Sequence, residues 1–375
     1  MAKNFRDLFG FDPSIVYFNH AATGMLPTCS ADAMNQYIQQ LKIHGEPPIE
    51  DLLRLSETFK SHAAQLLNVP SRDIAFIKNT TDGLEIALFS IDWKPGDNMV
   101  VQEDAFPASL YLAAYCFPNV EKRYVPLHHP DDFYHRLENK IDGHTRAVVV
   151  DYVHFISGDR LDLRRLGEIV RRSNSVLVVD GIQALGAIAV DLAQTPVDFF
   201  AAGGMKWLQG PAGSGVLYTR PEIMETLTPF RIGWFSAEYE DFSSLYPVRP
   251  LKKDAGRFRP ANDNYIGLVG LTESLRMLND VGAARFESTI MEMSRELMKQ
   301  LDDLGCTIFT PRENTRRAGI VSFKLPGVDS HRLYEALTRE QIVCSLREGW
   351  VRIAIHFYNT KQEINKVVEL IESNL

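Results

Sequence analysis

Two residues in the middle of the chain, Asp180 and Lys206, have the types and the surroundings needed for covalent chemistry with a carbonyl compound. Asp180 ends the valine-rich run SVLVVD, so its carboxylate is expected at the carboxyl edge of a buried strand. Open α/β sheets bind their ligands at that edge. Lys206 follows a second apolar run, VDFFAA, inside the glycine-rich segment GGMKWLQGPAGSG. A lysine that is desolvated at such an edge can form a Schiff base.

Each of these two residues also has an ordinary structural interpretation. A single aspartate at a strand end is usually a cap, and a single lysine in a loop is usually solvated. Together and in this order, they supply the two partners that pyridoxal phosphate requires, which are a lysine for its aldehyde carbon and an acid for its ring nitrogen. The sequence therefore predicts a site for this cofactor at the sheet edge.

A phosphate site and a stacking residue are also present. Thr80 and Thr81 lie in NTTDG, between the strand-like run DIAFIK and a helix start. Hydroxyls and backbone N–H groups at a helix start can hold a phosphate, although the same cluster can be an ordinary N-cap. Phe106 follows the run NMVVQE and can stack on a ring or pack in the core. The segment GPAGSG precedes a strand and does not open a helix, which argues against a nicotinamide-dependent dehydrogenase.

Length and composition limit the class of protein. The chain has 375 residues, enough for two domains or one large domain with an appendage. Hydrophobic residues make up 45% and charged residues 23%, which excludes a mainly disordered chain. The formal net charge of −8 argues against a broad nucleic-acid surface. We find neither an apolar run of about 18 residues nor an apolar signal at the start, so we expect a cytoplasmic protein without a membrane span.

The cysteines and histidines do not indicate a metal centre. No two cysteines form a C-x-x-C pair, so zinc-ribbon and thioredoxin-like interpretations have no support. We interpret the cysteines as small, partly buried hydrophobic residues in a reducing compartment. They are Cys29, Cys116, Cys306 and Cys344. The histidines show no convergent ligand spacing, so no metal site is predicted.

The order of the elements predicts an α/β protein with two domains. Valine-rich runs such as TRAVVVDYV, which predicts a strand over Thr145–Val153, alternate with helix-like stretches and indicate a mostly parallel central sheet. Prolines and aromatic residues become dense after about residue 225, and a long helical stretch runs from Tyr265 to about Gly305. Strands and helices of a smaller α+β unit follow. The predicted organisation is a segment 1–25 that packs near the active site, a large cofactor-binding domain 26–260 and a small domain 261–375.

The motifs resemble those of one enzyme family over residues 15 to 370. They are similar to the class V aminotransferase group of fold-type-I pyridoxal-phosphate enzymes, which includes cysteine desulfurases, kynureninases and isopenicillin-N-epimerase-like proteins. The order and the spacing of the segments agree over nearly the whole chain. The matching segments are YFNHAATGMLP, FIKNTTDG, SGDRLDL, VVDGIQALGAIAVDL, GGMKWLQGPAGSGVLY and VRIAIHFYNTKQEI.

The resemblance implies roles for residues around the cofactor ring. Lys206 corresponds to the Schiff-base lysine that also moves the substrate α-proton, and Asp180 to the partner of the ring nitrogen. Gln183 corresponds to the residue that hydrogen-bonds the ring 3′-oxygen. Phe106 takes the stacking position, as in the kynureninase-like branch.

The resemblance also implies contacts to the phosphate and across a subunit interface. Thr80 and Thr81 match the phosphate-binding pair of the family. Trp234 and Asn262 fall where relatives reach the cofactor of a neighbouring subunit. A homodimer with its active sites at the interface is therefore expected.

Three residues are implied in substrate binding. Arg352 aligns with the arginine that binds the substrate α-carboxylate, a task for which a guanidinium is suited because it donates two parallel hydrogen bonds. A surface salt bridge is its structural alternative. Asn19 and His20 line the active-site entrance in relatives, while His20 can equally be a structural histidine.

Several positions depart from the family pattern. Met205 and Gly203 stand where relatives often have a histidine before the lysine and a phosphate-binding serine. Relatives usually have threonine near Asn262, so this position also departs from the family's phosphate contact. The desulfurase branch carries a catalytic cysteine on a loop before the carboxylate-binding arginine, but the interval Ser345–Arg352 is short and lacks cysteine. Cys344 ends an apparent strand, which favours a buried role and argues against persulfide-forming desulfuration.

The family resemblance implies an enzyme that acts on an amino acid through an external aldimine and an α-carbanion. Transamination is the leading interpretation. A lyase or an epimerase without a catalytic cysteine is the alternative within the same chemistry. A non-catalytic scaffold relative is the alternative of another class, and the four retained residues Lys206, Asp180, Gln183 and Arg352 argue against it.

Overall fold

The computed structural model describes residues 5–10, 12–127, 130–239, 244 and 246–373. Thirteen strands are seen in these ranges. They are β1 (Val16–Tyr17), β2 (Ile74–Ile77), β3 (Asn98–Gln102), β4 (Glu121–Val125), β5 (Thr145–Asp151), β6 (Val176–Asp180), β7 (Phe199–Gly203), β8 (Gly215–Thr219), β9 (Thr307–Ile308), β10 (Ile320–Lys324), β11 (Ile342–Val343), β12 (Ser345–Arg347) and β13 (Trp350–Ala354).

The same ranges hold ten α-helices. They are α1 (Thr28–His44), α2 (Ile49–Leu67), α3 (Thr80–Phe89), α4 (Pro107–Tyr111), α5 (Pro130–Lys140), α6 (Leu163–Arg171), α7 (Tyr265–Val281), α8 (Ala283–Asp303), α9 (Ser330–Arg339) and α10 (Lys361–Glu372). None of the described helices combines the length and the apolar character needed to cross a bilayer.

Seven strands form the central sheet in the order β2-β8-β7-β6-β5-β3-β4. All neighbouring pairs from β7 to β4 are parallel, and β8 runs antiparallel to both of its neighbours. The prediction of an α/β fold with a mostly parallel sheet is confirmed. Because β7 and β8 are joined by the turn 204–214, this turn lies at the same sheet edge as the carboxyl ends of β5 and β6.

The valine-rich strands are buried because helices cover both faces of the sheet. Val148 and Val150 of β5 belong to the hydrophobic cluster on one face, and Val149 belongs to the cluster on the other. This alternation follows from the two-residue period of a strand. The helix α7 packs against α1 and α2 on the first face. Helix α7 begins after residue 260, where the sequence predicts the large domain to end. The predicted division into domains remains a prediction.

The C-terminal unit contains a smaller antiparallel sheet in the order β12-β13-β10-β9. A separate hydrophobic cluster holds this sheet against α8, α9 and α10. The N-terminal strand β1 joins this unit through a parallel pairing with β11. The chain that follows β1 reaches the central sheet, where the Gly24 N–H donates to the carbonyl of Met205 at 2.7 Å.

Three features differ from the sequence-based expectation. The long helical stretch after Tyr265 is two helices, because Gly282 has a φ of 88° that an α-helix does not permit. The long helices α1 and α2 were not predicted. Strand β4 was also missed, because all of its residues EKRYV except the last are exposed or half-buried at the sheet edge and they form no apolar run.

Candidate active site

The turn 204–214 places Lys206 in a dry environment at the carboxyl edge of the sheet. The lysine is 7% exposed, and its Nζ lies 5.3 Å from the centroid of the Phe106 ring. Burial lowers the pKa of Lys206 to about 8, and the negative charge of Asp180 opposes this shift. The positive charge of Arg352 lowers the pKa further. A lysine in this state has a substantial neutral fraction near pH 8, and the neutral amine is the nucleophile.

Asp180 ends strand β6 and faces the same edge, as predicted. Its side chain is buried, and its Oδ1 accepts a hydrogen bond from the Ile182 N–H at 2.9 Å. Burial raises the pKa of Asp180 to about 6, against the effects of the Ile182 hydrogen bond and of the Lys206 charge. The desolvation of this buried carboxyl group thus outweighs the attraction of the Lys206 charge.

A second acid, Asp151, lies beside Asp180 and was not among the predicted site residues. It ends strand β5 and pairs with Asp180 in the register of the parallel strands. The Phe106 N–H donates to its Oδ2 at 2.7 Å, which fixes the main chain of Phe106 at the site. The Phe106 ring also makes an edge-on contact with Phe155, with 5.3 Å between centroids.

The start of α3 supplies backbone donors for an anion. Asn79 caps the helix by accepting from the Asp82 N–H at 2.9 Å, which leaves the amides of Thr80 and Thr81 without an acceptor among the described residues. Thr80 Oγ1 accepts from the Gly203 N–H at 3.0 Å and ties the helix start to β7. A Cβ on Gly203 would lie only 3.3 Å from Thr80 Oγ1 and would crowd this hydroxyl. Glycine at this position avoids that tight contact.

Arg352 projects from β13 of the small sheet toward the large one. It is 2% exposed, its Nε donates to Ser345 Oγ at 3.0 Å, and its Nη1 donates to the carbonyl of Phe155 at 2.5 Å. Burial, and then the charge of Arg347, lowers the pKa of Arg352 to about 9. No carboxylate in the described ranges forms an ion pair with it. A buried guanidinium that lacks an acid partner is suited to an anionic ligand.

Gln183 is buried among protein partners close to the lysine turn. Its Oε1 accepts from the Trp207 Nε1–H at 2.8 Å, and its Nε2 donates to the carbonyl of Ala21 at 3.0 Å. The amide is thus oriented by the residue that follows Lys206 and by the N-terminal segment. Its predicted contact to the ring 3′-oxygen stays a prediction.

The two predicted entrance residues, Asn19 and His20, have different hydrogen-bonding environments. Asn19 has a buried Oδ1 with no partner in the described part of the chain. His20 is completely buried, and its ring nitrogens lie 2.7 Å from the carbonyl of Ala354 and 2.6 Å from the Tyr358 hydroxyl. Burial lowers the pKa of His20 to about 4. These contacts favour the structural interpretation of His20, in which the neutral ring links the N-terminal segment to β13.

The predicted interface residues are solvent-accessible in the single chain. Trp234 is 41% exposed and its ring lies 3.9 Å from that of Phe235, centroid to centroid. Asn262 is also exposed. Their contact with a neighbouring subunit stays a prediction.

Cys344 lies in the hydrophobic cluster of the small domain, as the sequence indicated. It is 4% exposed, and burial raises the pKa of its thiol to about 12. A thiol in this state is rarely ionised at neutral pH and is a poor nucleophile.

The site therefore combines a buried lysine of lowered pKa, an acid beside it, free amides at a helix start and a buried arginine without an acid partner. These four features fit pyridoxal phosphate and an amino-acid carboxylate. The sequence model for aminotransferase class V matches residues 16–367. The chain belongs to the class V aminotransferase family. Its cofactor is pyridoxal phosphate, on which that family depends.

Curated relatives of this family member cover almost its full length. A probable cysteine desulfurase of Pyrococcus abyssi is 25% identical over 96% of this chain and 94% of its own. An uncharacterized aminotransferase of Bacillus subtilis is 24% identical over 92% and 93%. The isopenicillin N epimerase of Streptomyces clavuligerus is 24% identical over 96% and 95%. The relatives thus carry names of three different reactions.

Solved structures show the same fold. The cystine C–S lyase C-DES, solved with its reaction product cysteine persulfide, is 24% identical with a TM-score of 0.88 and matches over 95% of this chain and 97% of its own. A cysteine desulfurase from Thermococcus onnurineus is 24% identical with a TM-score of 0.85, over 96% and 94%. These similarities confirm the fold-type-I architecture.

Proposed function

We propose that this class V family member is an enzyme that transfers the amino group of an amino acid. The observation that carries the proposal is the convergence of Lys206, Asp180 and Arg352 in one buried site. The charges of Asp180 and Arg352 both act on the pKa of Lys206, in opposite directions. Such a site provides an amine, a charge partner for a cofactor ring and a receptor for a carboxylate.

Arg352 orients the substrate in this proposal. Its Nε and Nη1 are held by Ser345 and by the Phe155 carbonyl, which fixes the guanidinium plane. The remaining N–H groups are available for the α-carboxylate. A carboxylate held by a rigid guanidinium presents its α-carbon in one orientation, which is a requirement for stereospecific proton removal.

Lys206 moves the α-proton. Its neutral Nζ accepts the proton from the substrate and can return it to a different atom, because burial holds its pKa at about 8. Burial of the amine also excludes water, which would otherwise compete for the same proton. Met205, which precedes the lysine, supplies no second base.

The remaining residues hold the cofactor. When bound, pyridoxal phosphate supplies an aldehyde carbon for amines and a ring that withdraws electrons from the α-carbon. In this proposal Asp180 pairs with the ring nitrogen, and the amides of Thr80 and Thr81 bind the phosphate. Phe106 is 39% exposed beside the lysine and offers its ring for stacking.

A C–S lyase that works without a protein cysteine is the second candidate. The names of several curated relatives and of the C-DES structure favour C–S cleavage. The burial of Cys344 argues against a persulfide on this residue. An epimerase uses the same proton transfer, and one relative carries that name.

We also propose a homodimer. Large hydrophobic residues are exposed on the segment that follows β8, which is unfavourable for a lone subunit. They are Phe230, Ile232, Trp234, Tyr246 and Val248. Light scattering of the holoenzyme should give twice the chain mass, and a monomer would contradict this part of the proposal.

Product analysis separates the candidate reactions. The holoenzyme is mixed with each L-amino acid in turn, without and then with an added keto acid. Amino transfer gives one keto acid per active site in the first case and repeated turnover only in the second. Ammonia, pyruvate or sulfide formed without a keto acid would assign a lyase instead. Loss of optical rotation without a new product would assign an epimerase.

A further inference from the structure

Asp151 has no part in the proposed function, although it lies at the centre of the site. Strands β5 and β6 are parallel, and Asp151 is directly opposite Asp180 in their register. Neighbouring strands lie about 4.8 Å apart, and paired residues project to the same face. Each of the two residues is 3% exposed. Two carboxylates this close and this dry repel each other strongly, so the retention of both charges is unfavourable.

The hydrogen bonds of Asp151 match a protonated carboxyl group. The Phe106 N–H donates to Oδ2 at 2.7 Å, whereas Oδ1 is buried and has no hydrogen-bond partner in the described ranges. A carboxylate needs donors at both oxygens, and a buried charged oxygen without one is costly. A carboxylic acid needs a donor only at its carbonyl oxygen, while its O–H needs an acceptor, for which the Asp180 carboxylate opposite it in the strand register is the candidate. One donor therefore fits the acid better than the carboxylate.

The groups around Asp151 lead to the same assignment. The charges of Asp180 on β6 and of Asp104 after β3 raise the pKa of Asp151. The charge of Lys206, in the turn after β7, lowers it. Burial and the charge of Asp180 raise the pKa of Asp151 well above its usual range, while the Phe106 hydrogen bond and Lys206 oppose this. Asp180 also accepts from the Ile182 N–H and lies near the Lys206 cation, which favours its charged form.

We propose that Asp151 and Asp180 together carry a single negative charge, with the proton on Asp151, and that Asp151 is a positioning residue for Phe106. The neutral acid holds the Phe106 main chain, and thereby the ring whose centroid lies 5.3 Å from Lys206 Nζ. It also leaves the only charge of the pair on Asp180, beside the lysine. The significance of these positions for catalysis rests on the proposed function, but the protonation state does not.

Infrared spectroscopy of the holoenzyme tests the location of the proton. At pH 8 the other buried aspartates with pKa values near 6, which are Asp73, Asp159 and Asp263, are mostly ionised. We expect a carbonyl band of a protonated carboxylic acid that is lost in Asp151→Asn. In Asp180→Asn the band should disappear at a lower pH than in the wild type, because the negative charge that raises the pKa of Asp151 is gone. The matched control is Asp198→Asn, which replaces a buried carboxylate that pairs with Arg220 and should leave the band unchanged. A wild-type protein without the band would overturn the proposal even if no variant folded, and so would a band lost only in Asp180→Asn.

The pH titration of the bound cofactor's absorbance tests the positioning role. Asp151→Asn replaces a neutral group by a neutral group that still accepts from the Phe106 N–H, so the titration midpoint should move by less than about 0.5 pH unit. Asp151→Leu removes the acceptor, and dialysis should then release the cofactor roughly tenfold faster. A midpoint lowered by a full unit or more in Asp151→Asn would show that a negative charge had been removed, which would contradict the proposal. Both readouts are independent of the reaction catalysed, so they can fail or succeed separately from the proposed function.

Discussion

The Arg352 guanidinium donates through Nη1 to the main-chain carbonyl of Phe155, 2.5 Å away, and thereby joins the small sheet to the large one. Phe155 lies four residues after the end of β5, and its ring contacts the Phe106 ring. The residue assigned to the substrate carboxylate is thus fixed by the same chain segment that bounds the cofactor face. Any change in the relative position of the two sheets alters this contact.

We expect Arg352→Lys to raise KM for the amino-acid substrate by about 10- to 100-fold, with a smaller change in kcat. A lysine keeps the charge but loses the fixed planar donors, and charge-assisted hydrogen bonds contribute about 1.5–3 kcal/mol. Steady-state kinetics measures the effect. Arg332→Lys, an exposed change on α9, is the control and should not alter KM. An unchanged KM in Arg352→Lys would exclude Arg352 as the carboxylate receptor.

The rate of covalent cofactor uptake by the apoprotein should rise with pH through about 8 and then level off. Burial lowers the pKa of Lys206 to about 8, and only the neutral amine attacks the aldehyde, so the reactive fraction grows as the pH rises through that value. Stopped-flow absorbance between pH 6 and 10 measures the rate. A rate that kept rising as expected for an ordinary lysine, with a midpoint near 10.5, would show that Lys206 is not desolvated.

Thr80→Ala should weaken cofactor retention by about five- to tenfold, whereas Thr80→Ser should retain it. The alanine removes the oxygen that accepts from the Gly203 N–H, and the loss of one such hydrogen bond costs about 1 kcal/mol. Cofactor release during dialysis gives the measurement. Thr289→Ala removes a hydroxyl that bonds the Arg285 carbonyl on the exposed side of α8, and it should have no effect. Equal release rates for the alanine and serine variants at position 80 would contradict this role.

Thiol labelling of the native protein should be fast at Cys116 and slow at Cys344. Cys116 is exposed, while burial raises the pKa of the Cys344 thiol to about 12 and removes the reactive thiolate. Mass spectrometry of timed samples measures both rates in one experiment. We also expect Cys344→Ala to keep amino-acid turnover. Rapid labelling of Cys344 that substrate prevents, together with an inactive Cys344→Ala variant, would instead support a persulfide-forming desulfurase.

The sequence predicted the central sheet and Asp180, Lys206, Thr80 and Phe106 of the candidate site because their signals are local. Asp180 and Lys206 each follow an uninterrupted apolar run that ends at the sheet edge, and the run length determines where the side chain emerges. Asp151 was missed for a related reason. The run TRAVVVDYV predicted a strand through Val153, which placed Asp151 inside the strand. In the structure β5 ends at Asp151, so this acid lies at the sheet edge beside the site.

Other features depend on contacts between distant segments. The engagement of both His20 ring nitrogens requires Ala354 and Tyr358, which no local pattern connects to the N-terminal segment. The pairing of Gln183 with Trp207 is likewise set by the packing of two turns. Such relationships arise from tertiary packing, which a single sequence does not encode in its periodicity.

Chemical trapping of the cofactor tests the central claim most directly. The holoenzyme is reduced with borohydride, digested and analysed by peptide mass spectrometry, with Lys206→Arg as the matched variant. We predict that the added mass of the reduced cofactor is found on the peptide that contains Lys206, and that the variant shows no such adduct on any peptide. An adduct on another lysine, or none in the wild-type holoenzyme, would contradict the assignment of Lys206 as the catalytic amine.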